Sequence, residues 1–120
     1  MKKKTLVIGA SAKSERASNQ LLHMLHAYGK PVVAIGNTEE IVAETEIQKQ
    51  KLPFEDIDTV SLYLRASRQD EFIDYIFSLK PKRIIFNPGA ENPDFQSKAQ
   101  ALGIEAINAC SLVMISTGQY

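Results

Sequence analysis

Short, β-branched apolar runs alternate along this chain with longer segments whose apolar residues recur at helical spacing. A strand covered by helices on both faces reads as a continuous apolar run, so the alternation points to βαβ units around a parallel sheet. The first run is Thr5-Leu6-Val7-Ile8, followed by a small polar loop over 9–17. A helix is expected over 18–28, with Leu21, Leu22, Leu25 and Tyr28 on one face and Met24 beside them. Ser18 reads as its N-cap and Gly29 as its C′ residue. Pro31-Val32-Val33-Ala34-Ile35 is the second strand.

Residues 37–56 are polar and carry no strong period. Within them Ile47 is expected on a short edge strand, and Lys49-Gln50-Lys51 as the charge of a sheet edge. Thr59-Val60-Ser61-Leu62-Tyr63-Leu64 is the next strand, with Ser67 capping the helix after it. Phe72, Ile73, Ile76 and Phe77 form the buried stripe of that helix, which Pro81 stops. Arg83-Ile84-Ile85-Phe86 is a further strand. Asn92 and Pro93 read as N-cap and N1 of a third helix, with Phe95, Ala99 and Leu102 inward and Gly103 at its end. The last strand is placed at 104–107, and the apolar tail 110–115 as a final core strand or turn.

At 120 residues the chain has room for one core, and 1–120 is read as a single domain. Fourteen basic and fourteen acidic residues cancel, which argues against a dedicated nucleic-acid binder. No stretch approaches the roughly 20 apolar residues of a membrane span. Met1-Lys2-Lys3-Lys4 has the charge of a signal peptide, but the apolar run behind it is far too short. The single cysteine, Cys110, rules out an intrachain disulfide framework and a cysteine-built zinc cluster. A cytoplasmic location is expected.

In an open parallel sheet, ligands bind outside the carboxyl ends of the strands, where the strand order switches. Those ends carry Gly9-Ala10-Ser11, Gly36-Asn37, Arg65, and Asn87-Pro88-Gly89-Ala90. Glycine lets backbone approach a ligand closely, and a helix N-terminus holds a phosphate. Arg16 and Arg65, beside these loops, suit phosphate because a guanidinium donates two hydrogen bonds at once. Lys13 and Arg68 read as surface charges. The dinucleotide fingerprint G-x-G-x-x-G fails here: positions 11 and 14 are serine, and no acidic residue ends the second strand. The nicotinamide reading therefore loses on two counts, and a phosphate-rich ligand is expected instead.

These residues resemble those of the CoA-binding domain proteins, small stand-alone relatives of the nucleotide-binding domain in the alpha subunit of succinyl-CoA synthetase. The resemblance covers nearly the whole chain. It rests on Val7-Ile8-Gly9-Ala10-Ser11, on Arg16 with Ser18-Asn19, on Ala34-Ile35-Gly36-Asn37, and on Ile57-Asp58-Thr59-Val60. Ile84-Ile85-Phe86 with Asn87-Pro88-Gly89-Ala90, and Cys110 after the last strand, complete it. The chain departs from the family pattern at the end of the second strand, where many members carry Val-Asn-Pro. The resemblance implies a Rossmann-like three-layer α/β/α fold with a mostly parallel five-stranded sheet. It also implies coenzyme A or an acyl-CoA across the strand ends. Gly9, Ala10, Ser11 and Arg16 would then face the phosphates, with Ser18 and Asn19 in the same site. Gly36 and Asn37 would lie near the adenosine, and Arg65, Asn87, Pro88, Gly89 and Ala90 would line the rest.

A catalytic constellation is not evident. His23 and His26 sit about 60° short of a full helical turn apart and inside a helix, so they read as ordinary helix residues. The synthetase relatives use a histidine in a second domain, so their ligase reaction is not expected here. Cys110 lacks a neighbouring base and reads as inert; the sharper alternative is a mixed disulfide with the CoA thiol. Binding without catalysis, as a sensor, carrier or regulator, is the leading expectation. Its rivals are an enzyme acting on an acyl-CoA or another nucleotide, and a protein-interaction module. The tail Leu112-Val113-Met114-Ile115 would be the dimer patch of that last reading.

Overall fold

Each nearly continuous apolar run becomes a strand, and the central ones are buried on both faces. In the computed structural model, which describes residues 3–120, β1 (Lys4–Ala10), β2 (Val32–Gly36), β5 (Ile57–Leu62), β6 (Arg83–Phe86) and β7 (Glu105–Asn108) are the five expected strands. Met1 and Lys2 of the lysine-rich lead-in lie outside the described residues. Two more strands, β3 (Ile41–Val42) and β4 (Thr45–Gln48), extend the sheet. The order is β3-β4-β2-β1-β5-β6-β7, and every pairing is parallel except β3 with β4. The sheet therefore has seven strands among the described residues, not five. β4 is the short strand expected at Ile47, but β3 lies outside it, so it is not the edge; β3 escapes a sequence reading because Ala43 and Glu44 make the hairpin turn at φ 49° and 65°. Asn-Gly or Asp-Gly would normally announce such a turn.

Alternation along the strands divides the core in two. Leu6, Ile8, Val60, Leu62, Ile84 and Phe86 pack with Ile76 of α2 (Asp70–Leu79) and with Phe95 and Ala99 of α3 (Pro93–Ala101). On the opposite face Val7, Ala34 and Ile47 pack with Leu21, Leu22 and Leu25 of α1 (Ala17–Ala27) and Ile115 of α4 (Ser111–Ser116). The result is three layers in a Rossmann-like α/β arrangement with a mostly parallel sheet. No helix among the described residues is long and apolar enough to cross a membrane.

Several local expectations need correction. Ser18 does not cap α1. Arg16 holds the N-cap position with extended backbone and no side-chain cap, and Ser18 is buried in the first turn. Ser67 does not cap α2: a single tight turn over Ala66–Arg68 comes first, and Gln69 takes the N-cap position. Leu102 is 63% exposed rather than inward. At the end of α3, Gly103 N–H donates to the Gln100 carbonyl and Ile104 N–H to that of Ala99. This reversal turns Leu102 outward and brings Ile104 onto the core instead. The apolar tail is a helix, α4, rather than a strand or turn; it buries Ser111 and Ile115 and leaves Val113 56% exposed.

Candidate functional site

The chain order changes direction between β1 and β5. From β1 it winds outward through β2 one way, and from β5 through β6 and β7 the other. At the carboxyl ends of these strands lies a cleft of about 960 Å³. Two glycines shape its floor. Gly9 interrupts the β1–β2 register, and its φ of +89° belongs to a region that side chains rarely adopt. A Cβ there would stand 3.0 Å from the Tyr63 carbonyl carbon. A Cβ on Gly36 would collide with the Ala10 carbonyl oxygen and stand 2.9 Å from Ile47 Cγ2. The strand ends thus meet at backbone distance.

The loop after β1 is tied in place. Asn19 Nδ2 donates to the Ser11 carbonyl at 3.0 Å, and Lys13 N–H donates to Ser11 Oγ at 3.1 Å. Because no side chain caps α1, its leading N–H groups stay open where Ala17 and Ser18 line the cleft. Aligned peptide dipoles make such a helix start favourable for an anion.

Of the residues expected at the site, Gly9, Ala10, Ser11, Arg16, Ser18, Gly36 and Asn37 line this one cleft. Asn19 lies buried behind it as a tie to the loop. Arg65, Pro88 and Gly89 do not line it; Arg65 is exposed at the start of the turn before α2. Asn87 is 1% exposed and occupied: it donates to Ser61 Oγ and the Leu62 carbonyl and accepts from Ser111 N–H. Ala90 is buried, and its carbonyl accepts from Gln69 Nε2 at 2.8 Å.

Several lining residues were not read from the sequence as a site. Lys13 and Arg68, read as surface charge, both line the cleft, as do Lys49 and Lys51, read as sheet-edge charge. Tyr63, Leu64 and Phe72 add an apolar wall. Tyr63 was placed inside a strand, but β5 ends at Leu62, which releases Tyr63 to the cleft. Its Oη is buried without a hydrogen-bond partner among the described residues, and burial pushes its pKa up. Gln69, fully buried, fastens the loops after β5 and β6: its Nε2 donates to the Leu64 and Ala90 carbonyls, and its Oε1 accepts from Asn92 Nδ2.

The cleft is electropositive. Five cations (Lys13, Arg16, Lys49, Lys51 and Arg68) line it against two carboxylates, Glu40 and Glu71. Its lining holds no histidine or cysteine. His26 instead pairs with Glu44 at 3.0 Å on the outside of α1, and Cys110 stands at the start of α4. No cluster of metal-ligating side chains occurs among the described residues. What the arrangement offers is backbone N–H groups, unpaired cations and an apolar wall, the means to hold a phosphorylated ligand with an apolar portion.

Comparison with known proteins shows the family and the fold. Residues 3–116 match the CoA binding domain family. An uncharacterized protein of known crystal structure is 36% identical, with a TM-score of 0.96; the match covers 100% of this chain and 99% of that one. A hypothetical protein from Pyrococcus horikoshii OT3 is 24% identical with a TM-score of 0.85, covering 97% of this chain and 83% of its own. A Thermus thermophilus protein is 18% identical with a TM-score of 0.82, covering 99% and 91% respectively. The latter two share the fold. Among curated proteins none matches.

Proposed function

This chain belongs to the CoA binding domain family, and on that premise we propose that it binds coenzyme A or an acyl-CoA across the carboxyl edge of the sheet without a reaction of its own. Its role is then to sense, carry or regulate. The observation that carries this reading is the glycine-floored loop after β1, set against an uncapped helix start and an Arg16 whose guanidinium makes no ion pair or hydrogen bond among the described residues. In the proposal, backbone N–H groups of 9–11 and 17–18 and the Arg16 guanidinium hold the pyrophosphate. Gly36 and Asn37 border the adenosine. Asn19, Asn87 and Ala90 keep the walls in place rather than touch ligand. The apolar wall of Tyr63, Leu64 and Phe72 covers the pantetheine arm.

A thermal-shift panel of CoA, acetyl-CoA, NAD, NADP and ATP tests this. A ligand at about 100 times its Kd stabilises the folded state by about 2.7 kcal/mol. Stabilisation by CoA or acetyl-CoA is expected, and Arg16→Ala should weaken it about tenfold. No shift with any CoA species overturns the reading, and a shift with NAD alone replaces the cofactor. Incubation with acetyl-CoA should release no free thiol; release would make the protein a hydrolase or transferase.

A further inference from the structure

Resting on that reading, we propose that residues 110–120, which carry α4, form a releasable strap that docks more firmly when ligand fills the cleft. Tyr63 links the two, and the strap is the element through which a filled cleft is reported.

Two buried side-chain polar atoms lack a hydrogen-bond partner among the described residues, Tyr63 Oη and Arg83 Nη2. Both belong to the seat of this one segment. Tyr63 Oη stands beside Ser61, Ser111 and Cys110 and bonds to none of them. Arg83 is 6% exposed and lies under the Tyr120 ring, with Nη1 reaching the Tyr120 carbonyl only at 3.5 Å.

The backbone-to-backbone hydrogen bonds of 110–119 all stay inside the segment. Ser111 ties one end to Ser61 and Asn87, and Tyr120 ties the other to Thr5 and Arg83. Ile115 is buried between them. A missing hydrogen bond at each end weakens the docking of the segment without touching its internal structure. Segments held by few buried contacts are the first to open in a native chain.

Tyr63 touches both places. It lines the cleft, and it joins the same apolar cluster as Leu112 and Ile115 of α4. Its N–H donates to the Ile8 carbonyl at 2.9 Å, and the Gly9 backbone lies against it. A ligand that settles the loop after β1 therefore settles Tyr63 too. The serine pair has capacity to spare. Ser61 and Ser111 share one hydrogen, so a second hydroxyl hydrogen and lone pairs stay uncommitted. Ligand packed on the Tyr63 ring turns its hydroxyl to Ser111 and closes the missing bond. With the strap released, the same ring loses its backing and the cleft loses a wall. The two states thus differ in their ligand contacts, which is what lets a ligand shift them.

Hydrogen exchange of the whole protein, free and saturated with CoA, tests the proposal, with calorimetry to establish binding. Amides of 114–119 should slow about tenfold with CoA. Tyr63→Phe keeps the ring and removes the hydroxyl. It should melt no lower than wild type, exchange no faster in 114–119 when free, and still bind CoA. At saturating CoA its strap should slow less than about twofold. Slowing that persists in the variant reports global stability alone and overturns the strap. Faster exchange in the free variant overturns it as well, since the hydroxyl would already have a partner. A folded variant that no longer binds CoA makes the hydroxyl a ligand contact and overturns the link. CoA binding to wild type without any slowing in 114–119 overturns the strap and leaves the CoA reading standing. Failure of wild type to bind CoA overturns that reading and the proposal with it.

Discussion

At the scale of single residues, the site depends on what two positions lack. Gly36 has no room for a methyl group, because the Ala10 carbonyl and Ile47 Cγ2 already occupy that space. Gly36→Ala should push β1 and β2 apart at their carboxyl ends and cost about 1–3 kcal/mol, the usual range for overpacking. Urea denaturation measures the loss. The loop of Ala10 and Ser11 hangs from the same contact, so ligand affinity should fall with stability. Wild-type stability in this variant would mean that the strand ends relax without strain. At Gly9 the objection is different, since the backbone conformation itself disfavours a side chain. The sequence displays both glycines, but it does not say which atom each one makes way for.

At the scale of elements, helix ends are settled by chemistry that is partly local. Asn92 accepts from Phe95 N–H as the N-cap of α3, with Pro93 behind it, as the sequence suggests. At the end of α1, Gly29 N–H donates to the His26 carbonyl and Lys30 N–H to that of Leu25. The start of α2 defies that logic, because Gln69 is recruited by the Leu64 carbonyl just before it and by the Ala90 carbonyl of a distant loop. The attachment of α4 is likewise non-local. Ser111 shares a 2.8 Å hydrogen bond with Ser61, and its N–H donates to Asn87 Oδ1. Tyr120 follows α4, shares a 2.6 Å hydrogen bond with Thr5, and stacks under the Arg83 guanidinium at 4.8 Å. Asn87→Ala leaves the buried Ser111 N–H without its partner and should cost about 1–3 kcal/mol. Hydrogen exchange should then speed up selectively in α4. Lost CoA affinity with unchanged α4 protection would instead make Asn87 a ligand contact.

At the scale of the whole molecule, buried tyrosines set the alkaline limit. Burial pushes Tyr75 up to about 12 and raises Tyr63 and Tyr120 as well. The folded state therefore holds these protons more tightly than the unfolded state. Their stabilisation is fully present below the ordinary tyrosine pKa of 10.0 and is lost as pH rises through the folded values. Melting temperature should fall steadily from about pH 10 upward, and Tyr75→Phe should flatten the decline. A flat profile to about pH 11 would mean that these hydroxyls are solvated in the folded protein. The sequence alone determined the alternation of strands and helices, the parallel sheet and the loop after β1, because periodicity, β-branching and glycine act over a few neighbouring residues. It also contained the resemblance that implies CoA. Only the tertiary structure decided that β4 runs parallel beside β2, that Lys49, Lys51 and Arg68 share a cleft with Arg16, and that Asn87 fastens α4. These depend on strand order and on which side chains the packed layers bring together. No local pattern encodes contacts between residues so far apart in the chain.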